Sequence, residues 1–234
     1  MIKSNILALD ASTEALSIVL HFEGQTFHHF EECPQQHSQK ILPLVDELLN
    51  KAQCKLKDLD VIGFGQGPGS FTGVRISVAI AQGLAYSANL PLVGVSTLAI
   101  MAQQAFEQNG STCVYPAIDA RMGEIYFANY QLNNTKMELV NQECVIKPEL
   151  LTADFISVNN EQAVAVGTGF KTYPDALNNF SNIQINTEIT LPDARYMLNH
   201  VDDAFLNGNV VKASDAQPKY VRDTVTWKKL PGRE

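Results

Sequence analysis

The stretch 65–85, GQGPGSFTGVRISVAIAQGLA, sets alternating glycines directly before a long run of small and apolar residues. The preceding VIGF reads as a buried strand, so the glycines fall at a strand-to-helix junction. Such a junction is either a loop that holds an anion on unpaired N–H groups or the tight entry to a closely packed helix. The pattern satisfies neither GxxxxGK[ST] nor GxGxxG, because the lysine of the first and the last glycine of the second are not in place. Gly67, Gly69, Ser70 and Thr72 keep the geometry of a phosphate-type turn, with Arg75 one turn on to meet a phosphate or a carboxylate. Against this stands a simpler reading, in which the glycines shape the turn and Ser70 or Thr72 caps the helix. Alanine and glycine at 79, 81, 83 and 85 leave room for another backbone on that helix.

A second phosphate-type candidate lies upstream in ILALDAST. Asp10 ends a buried strand and is followed by Ser12 and Thr13, a set able to hold a hydrated divalent ion near a phosphate. The alternative is an Asp that satisfies the donors of its own turn. In AIDARMGEIYF, Asp119, Arg121 and Glu124 crowd a strand connection. A catalytic reading makes Asp119 a base or metal ligand. Yet Arg121 and Met122 stand where a phosphate cradle wants glycine, which favours a local ion-pair network that stiffens the turn.

No catalytic residue is assigned. GxSxG is absent, and no Ser/His/Asp or Cys/His arrangement stands out. No metal site is expected either: His37 has no second histidine three or four residues away, and His28 and His29 point to opposite faces if their segment is a strand. Cys33, Cys54, Cys113 and Cys144 form no CxxC pair, which fits a reduced compartment.

Periodicity predicts a strand from Asn5, a turn at ASTEA and a hairpin through ALSIVLHFEG and QTFHHFEE. A helix follows from Pro34 to about Gln53, with Ile41, Val45, Leu48, Leu49 and Ala52 near one stripe and Pro43 forcing a kink or a late start. The next helix spans about 72–87. Strand 90–95 and a helix capped by Ser96 complete the first half. Asn109, Gly110 and Ser111 break the pattern, so domains of 1–108 and 109–234 are expected. Beyond the break, TCVYPAID and EIYFANYQL read as two strands, AVAVGTG as a strand with a glycine end, and DARYMLNHVDDAFLNG as a helix. In the tail, Trp227 pins the chain to its own body or to a partner.

The net charge of −8 over 234 residues argues against a broad basic surface for nucleic acid. The apolar run at the N-terminus is too short for an export signal, and nothing approaches the roughly 20 apolar residues of a membrane span. A cytoplasmic address is expected.

Taken together, ILALDAST, GQGPGSFTGVRISVAIAQGLA, AIDARMGEIYF and QPKYVRD closely resemble the bacterial TsaB (YeaZ) family over essentially the whole chain. The segment GPGSFTGVR is the most specific piece. The resemblance implies an α/β fold of the actin-like ATPase, sugar kinase and Hsp70 superfamily, with two similar domains built on mixed sheets. It implies a non-catalytic accessory subunit that supports TsaD, works with the ATPase TsaE, and also forms homodimers. The assembled system makes N6-threonylcarbamoyladenosine at position 37 of tRNA, so tRNA is engaged mainly through the complex. No cofactor is assigned to this chain alone, and ATP or ADP with Mg2+ is a candidate for the assembled complex. Residue by residue, Asp10 matches the first phosphate motif and 67–75 the family signature. Asp119, Arg121 and Glu124 match the second-domain signature, and Pro218, Tyr220 and Arg222 the C-terminal one. The metal-binding histidine pair of TsaD has no counterpart around His37. The two helices from Pro34 and Thr72 are the expected interface, with His37, Ile41, Leu44, Leu48, Val74 and Val78 as candidate contacts. The alternatives are a nucleotide hydrolase or phosphotransferase of the same fold and, ranked last, a glycoprotease.

Overall fold

A computed structural model describes residues 2–152, 155–156, 163–177 and 183–222. Trp227 lies outside the described residues. The apolar run ILALD forms β1 (Ile6–Asp10), buried along its whole length. The chain then turns into an antiparallel hairpin of β2 (Ala15–Phe22) and β3 (Gln25–Glu32). β4 (Val61–Gly67) and β5 (Leu92–Ser96) add in parallel on the other side, giving the order β3-β2-β1-β4-β5.

Two helices cover one face of this sheet. α1 (His37–Lys51) turns Ile41, Val45 and Leu48 onto it. The helix begins three residues later than Pro34 and carries Pro43 within it. The carbonyl that Pro43 leaves without its N–H partner belongs to Gln39, an exposed residue, so hydration replaces the lost bond and the helix continues. α2 (Phe71–Ala88) lies beside α1. It is capped by Ser70, whose hydroxyl accepts the Gly73 N–H at 3.2 Å, and closed by Asn89 in the left-handed region. Of its small residues, Ala81 and Ala85 are buried against the sheet, whereas Ala79 and Gly83 face outward.

α3 (Thr97–Asn109), capped by Ser96, is buried along its length from Thr97 to Ala105. It runs between the first sheet and a second one, so it has no solvent face to make polar. The second sheet comprises β6 (Cys113–Arg121), β7 (Glu124–Phe127), β8 (Tyr130–Asn133), β9 (Lys136–Leu139), β10 (Cys144–Ile146), β11 (Ala163–Val166) and β12 (Ile183–Asn186). Its main order is β10-β7-β6-β11-β12, with β8 on β6 and β9 on β8. EIYFANYQL, expected as one strand, is two. β7 and β8 keep a common register along β6, but the ladder breaks where Pro116, which has no N–H to donate, faces Ala128. β9 pairs with the β8 piece and β10 with the β7 piece.

The segment DARYMLNHVDDAFLNG starts as a 3₁₀ turn, Ala194–Met197, and becomes α5 (Leu198–Leu206). α5 returns to the first sheet: a Cβ at Gly63 of β4 would overlap Val201. One apolar cluster therefore joins Ile6, Val61 and Val95 to Val114, Ile118 and Val166 through α3 and α5. On the outer face of the second sheet a short helix, α4 (Thr168–Thr172), packs on β6 near the stacked rings of Tyr115 and Phe127. The result is a mixed α/β architecture of two sheets with flanking helices, as the resemblance implies.

The helix glycines separate two roles. A Cβ at Gly73 would overlap the Ala11 carbonyl, whereas one at Gly83 meets nothing within 4 Å. Gly83→Ala should therefore stabilise the protein by about 1 kcal/mol, raising Tm by roughly 2–4 °C. Gly73→Ala should cost on the order of 2 kcal/mol or more. Thermal unfolding of both variants checks this, and a Gly73→Ala protein as stable as the parent would contradict it.

Candidate functional site

The loop between β4 and α2 folds back over the turn between β1 and β2. The Ser70 N–H donates to the Ser12 carbonyl at 2.7 Å. A Cβ at Gly69 would overlap that same carbonyl, and one at Gly65 would overlap the Asp10 carboxylate. The glycines are where two stretches of backbone touch. Gly67, at φ +98°, also brings the loop against the Lys219 carbonyl.

Asp10 is fully buried beneath this loop. Its Oδ1 accepts the Ser12 N–H at 3.0 Å, and the Ser12 hydroxyl lies 3.0 Å from both carboxylate oxygens. The same hydroxyl is 2.9 Å from Thr97 Oγ1 at the start of α3. Thr13 Oγ1 accepts the Ala15 N–H at 3.3 Å. Burial pushes the Asp10 carboxyl up to about 6, against the opposing pull of the Ser12 donors. Thr72 is exposed in the first turn of α2. Arg75 pairs with no carboxylate among the described residues. It donates to the Phe71 carbonyl at 2.8 Å and lies over the Phe71 ring, 3.4 Å from its centroid, with the Tyr220 ring 5.1 Å away.

The turn between β6 and β7 lies opposite. Arg121, Met122 and Gly123 all take positive φ, after a bulge between Asp119 and Arg121. Asp119 accepts the Arg121 N–H at 2.9 Å and pairs with its guanidinium at 3.2 Å. The other guanidinium nitrogen reaches Glu14, also at 3.2 Å, so Arg121 ties the two candidate turns together. Glu124 takes no part in this pair and instead binds Arg222, whose guanidinium also approaches the Ala120 carbonyl. Lys219 donates its N–H to Gln66 at 2.8 Å and its ammonium pairs with Glu143 at 3.1 Å. Glu143 is buried and also accepts from the Ser96 hydroxyl and, at 2.8 Å, from Tyr130. Burial, with the Glu143 charge beside it, pushes the Tyr130 phenol well above its ordinary range. The segment 217–222 thus straps the end of β4 to the second sheet.

Sequence reasoning missed Glu14, Thr97, Glu143 and Lys219. Each is defined by a contact between segments dozens of residues apart, and local spacing carries no sign of it. The interface candidates lie deeper than expected. Ile41, Leu48, Val74 and Val78 are buried in the chain's own packing, Leu44 is half-buried, and His37 is buried with Nε2 3.2 Å from the Ala15 carbonyl. A side chain closed in by its own sheet cannot also cover a partner. The outward face of these helices is carried by Leu42, Ala79, Gly83 and Tyr86. The four cysteines are free, and among the described residues no cluster of three or more His, Cys, Asp or Glu is placed to hold a metal.

Residues 29–214 match the family model described as TsaD: tRNA N6-adenosine threonylcarbamoyltransferase. The tRNA threonylcarbamoyladenosine biosynthesis protein TsaB of Escherichia coli (strain K12) is 45% identical over 230 residues, which is 98% of this chain and 99% of that protein. The chain belongs to the TsaB family. The Haemophilus influenzae TsaB is 40% identical, covering 98% of each chain. Among solved structures, YeaZ from Pseudomonas aeruginosa superposes with a TM-score of 0.84 at 38% identity, covering 93% of this chain and all of that one. The family resemblance read from the four motifs is therefore shown, and those motifs converge on one region of the fold.

The buried carboxyl of Asp10 gives this region a pH dependence. Below its ordinary value of 3.8 the group is protonated in folded and unfolded chains alike, and its contribution to stability is fully present. As pH rises toward about 6, the unfolded chain gives up the proton first and that contribution is lost, on the order of 3 kcal/mol in all. Asp10→Asn should flatten the stability profile between pH 4 and 6.5. Denaturant midpoints across that range check this, and parallel profiles for parent and variant would contradict it.

Proposed function

We propose that the chain is a non-catalytic accessory subunit of the complex that forms N6-threonylcarbamoyladenosine at position 37 of tRNA. In this reading it binds and supports TsaD, and the assembly includes the ATPase TsaE. One observation carries the proposal: in a chain whose relatives are named for this biosynthesis, the Asp10 turn and the β6–β7 turn are spent on internal contacts. Asp10 is used up by Ser12 beneath Gly65, and Arg121 sits between Glu14 and Asp119. Nucleotide and Mg2+ then belong to the assembled complex, and tRNA is held mainly by other subunits, in keeping with a net charge of −8.

The partner surface in this reading is the outward face of α1 and α2. Tyr86 is 83% exposed and Leu42 49%, and Gly83 offers bare backbone between them and the exposed Ala79. A glycine that its own chain does not need, in a helix interior where it costs about 1 kcal/mol, fits close approach by a second helix. The same face serves a homodimer. Among the described residues no helix is long and apolar enough to cross a membrane. A cytoplasmic setting is part of the proposal.

Light scattering on the chain alone and mixed with TsaD of the same organism, with transfer assays on each fraction, tests the reading. The expected result is a one-to-one complex that modifies tRNA, an inert free chain, and loss of the complex in a folded Gly83→Glu or Tyr86→Asp variant. Modification by the chain alone, or magnesium-dependent ATP turnover abolished by Asp10→Ala, would favour an enzyme of the actin-like fold. A complex retained by both helix variants would move the interface elsewhere.

A further inference from the structure

The mouth of the two turns carries a second exposed surface that neither the internal contacts nor the α1/α2 face explains. Phe71 is 64% exposed at the start of α2, and Tyr220 is 54% exposed on the strap. Between them lies the Arg75 guanidinium, close over Phe71 and 5.1 Å from Tyr220. Two residues beyond Tyr220, Arg222 approaches the sulfur of Met122, itself 60% exposed in a left-handed turn. A large apolar side chain at such a backbone position is disfavoured by its own turn and, among the described residues, stays mostly exposed despite the Arg222 contact.

The charges distinguish Arg75 from its neighbours. Among the described residues Arg121, Arg195 and Arg222 each pair with a carboxylate, and Arg75 does not. Its one hydrogen bond goes to the Phe71 carbonyl, one turn back in its own helix. That bond and the ring contacts fix the guanidinium plane while leaving most of its five donors uncommitted. A planar cation held between aromatic rings is an arrangement suited to two-point binding of a carboxylate.

We propose that Phe71, Arg75 and Tyr220, flanked by Met122, form a second docking point for a partner protein, which seats a carboxylate on Arg75 and an apolar side chain against the two rings. Aromatic residues, Met and Arg are the types enriched at the energetic centres of protein interfaces. A nucleic-acid strand fits less well. The exposed Glu14 stands at the same pair of turns, and Arg121 is already engaged by it and by Asp119, so a track of phosphates finds carboxylates beside Arg75. The inference rests on the reading that this chain works inside a protein complex, and it assigns a surface separate from the outward face of α1 and α2.

The test measures affinity of the full chain for purified TsaD, alone and with TsaE, beside a separate titration with a tRNA transcript. Arg75→Glu and Phe71→Ala should each weaken protein binding at least about tenfold, and Arg75→Lys, which keeps the charge but loses the planar fork, by less. The unfolding temperature should stay within about 2 °C of the parent, because these side chains are at the surface. Should Arg75→Glu disturb α2, Phe71→Ala and Tyr220→Ala carry the test. Unchanged affinity for both proteins overturns the inference and leaves the accessory-subunit reading standing. A loss confined to tRNA also overturns it, by making the patch a nucleic-acid surface. Failure of the parent chain to bind either protein removes the accessory-subunit reading, and this inference with it.

Discussion

The contact on which the rest of the structure depends is the approach of three Cα atoms, those of Gly65, Gly69 and Gly73, to the turn that follows β1. No other residue type fits there, because a Cβ would occupy the place of the Asp10 carboxylate or of the Ser12 or Ala11 carbonyl oxygen. This packing draws the start of α2 onto the end of β1 and buries Asp10. It also holds the β1–β2 turn where Arg121 of the second sheet can reach it. The loop and the turn are two halves of one packed object, which is why both sequence motifs are unusual and neither satisfies a nucleotide-loop pattern.

Across this object the two sheets are joined in two different ways. The apolar layer made by α3, buried from Thr97 to Ala105, and by the inward residues Leu198 and Val201 of α5 supplies the area and most of the stabilisation. The ionic contacts of Arg121, Lys219 and Arg222 add less energy where they are exposed, the Arg121 pairs being worth at most about 1 kcal/mol. What they add is orientation: Arg121 links the second sheet to Glu14 on the first-sheet turn, while Lys219 and Arg222 link the strap to Glu143 and Glu124 on the second-sheet side. Glu143 is the most demanding of these acceptors, because a buried carboxylate is tolerated only with several donors, here Ser96, Tyr130 and Lys219.

The parts of the fold legible in the sequence are those with a strong period or a local cap. The β1–β3 hairpin region, α2 with Ser70, and α3 with Ser96 follow from alternation, helical stripes and capping residues. β9 and β12 were not read, being four residues each at the margin of the second sheet, with too little apolar content to mark a strand. The split of β7 from β8 depends on Pro116 lying opposite Ala128, a pairing that no local pattern reveals. The motif segments lie together in the fold, but their contacts come from distant segments: Arg121 for Glu14, Arg222 for Glu124, Lys219 for Glu143. A helical stripe likewise shows which residues are apolar and leaves open whether a sheet or a partner covers them. For Ile41, Leu48, Val74 and Val78 the chain's own sheet does.

A chain of the TsaB family thus uses the turns of its two-sheet frame to hold itself together, and among the described residues it presents an aromatic, glycine and arginine surface outward. In the proposed function, the chain contributes to tRNA modification by its surface and not by the Asp10 turn. The most direct measurement is single-turnover threonylcarbamoyl transfer by the complete complex rebuilt with an Asp10→Asn chain. A rate within about twofold of the parent complex is expected, because the carboxylate is bound by Ser12 and covered by Gly65 of the same chain. A loss of a hundredfold or more, with the complex still assembled, would contradict it.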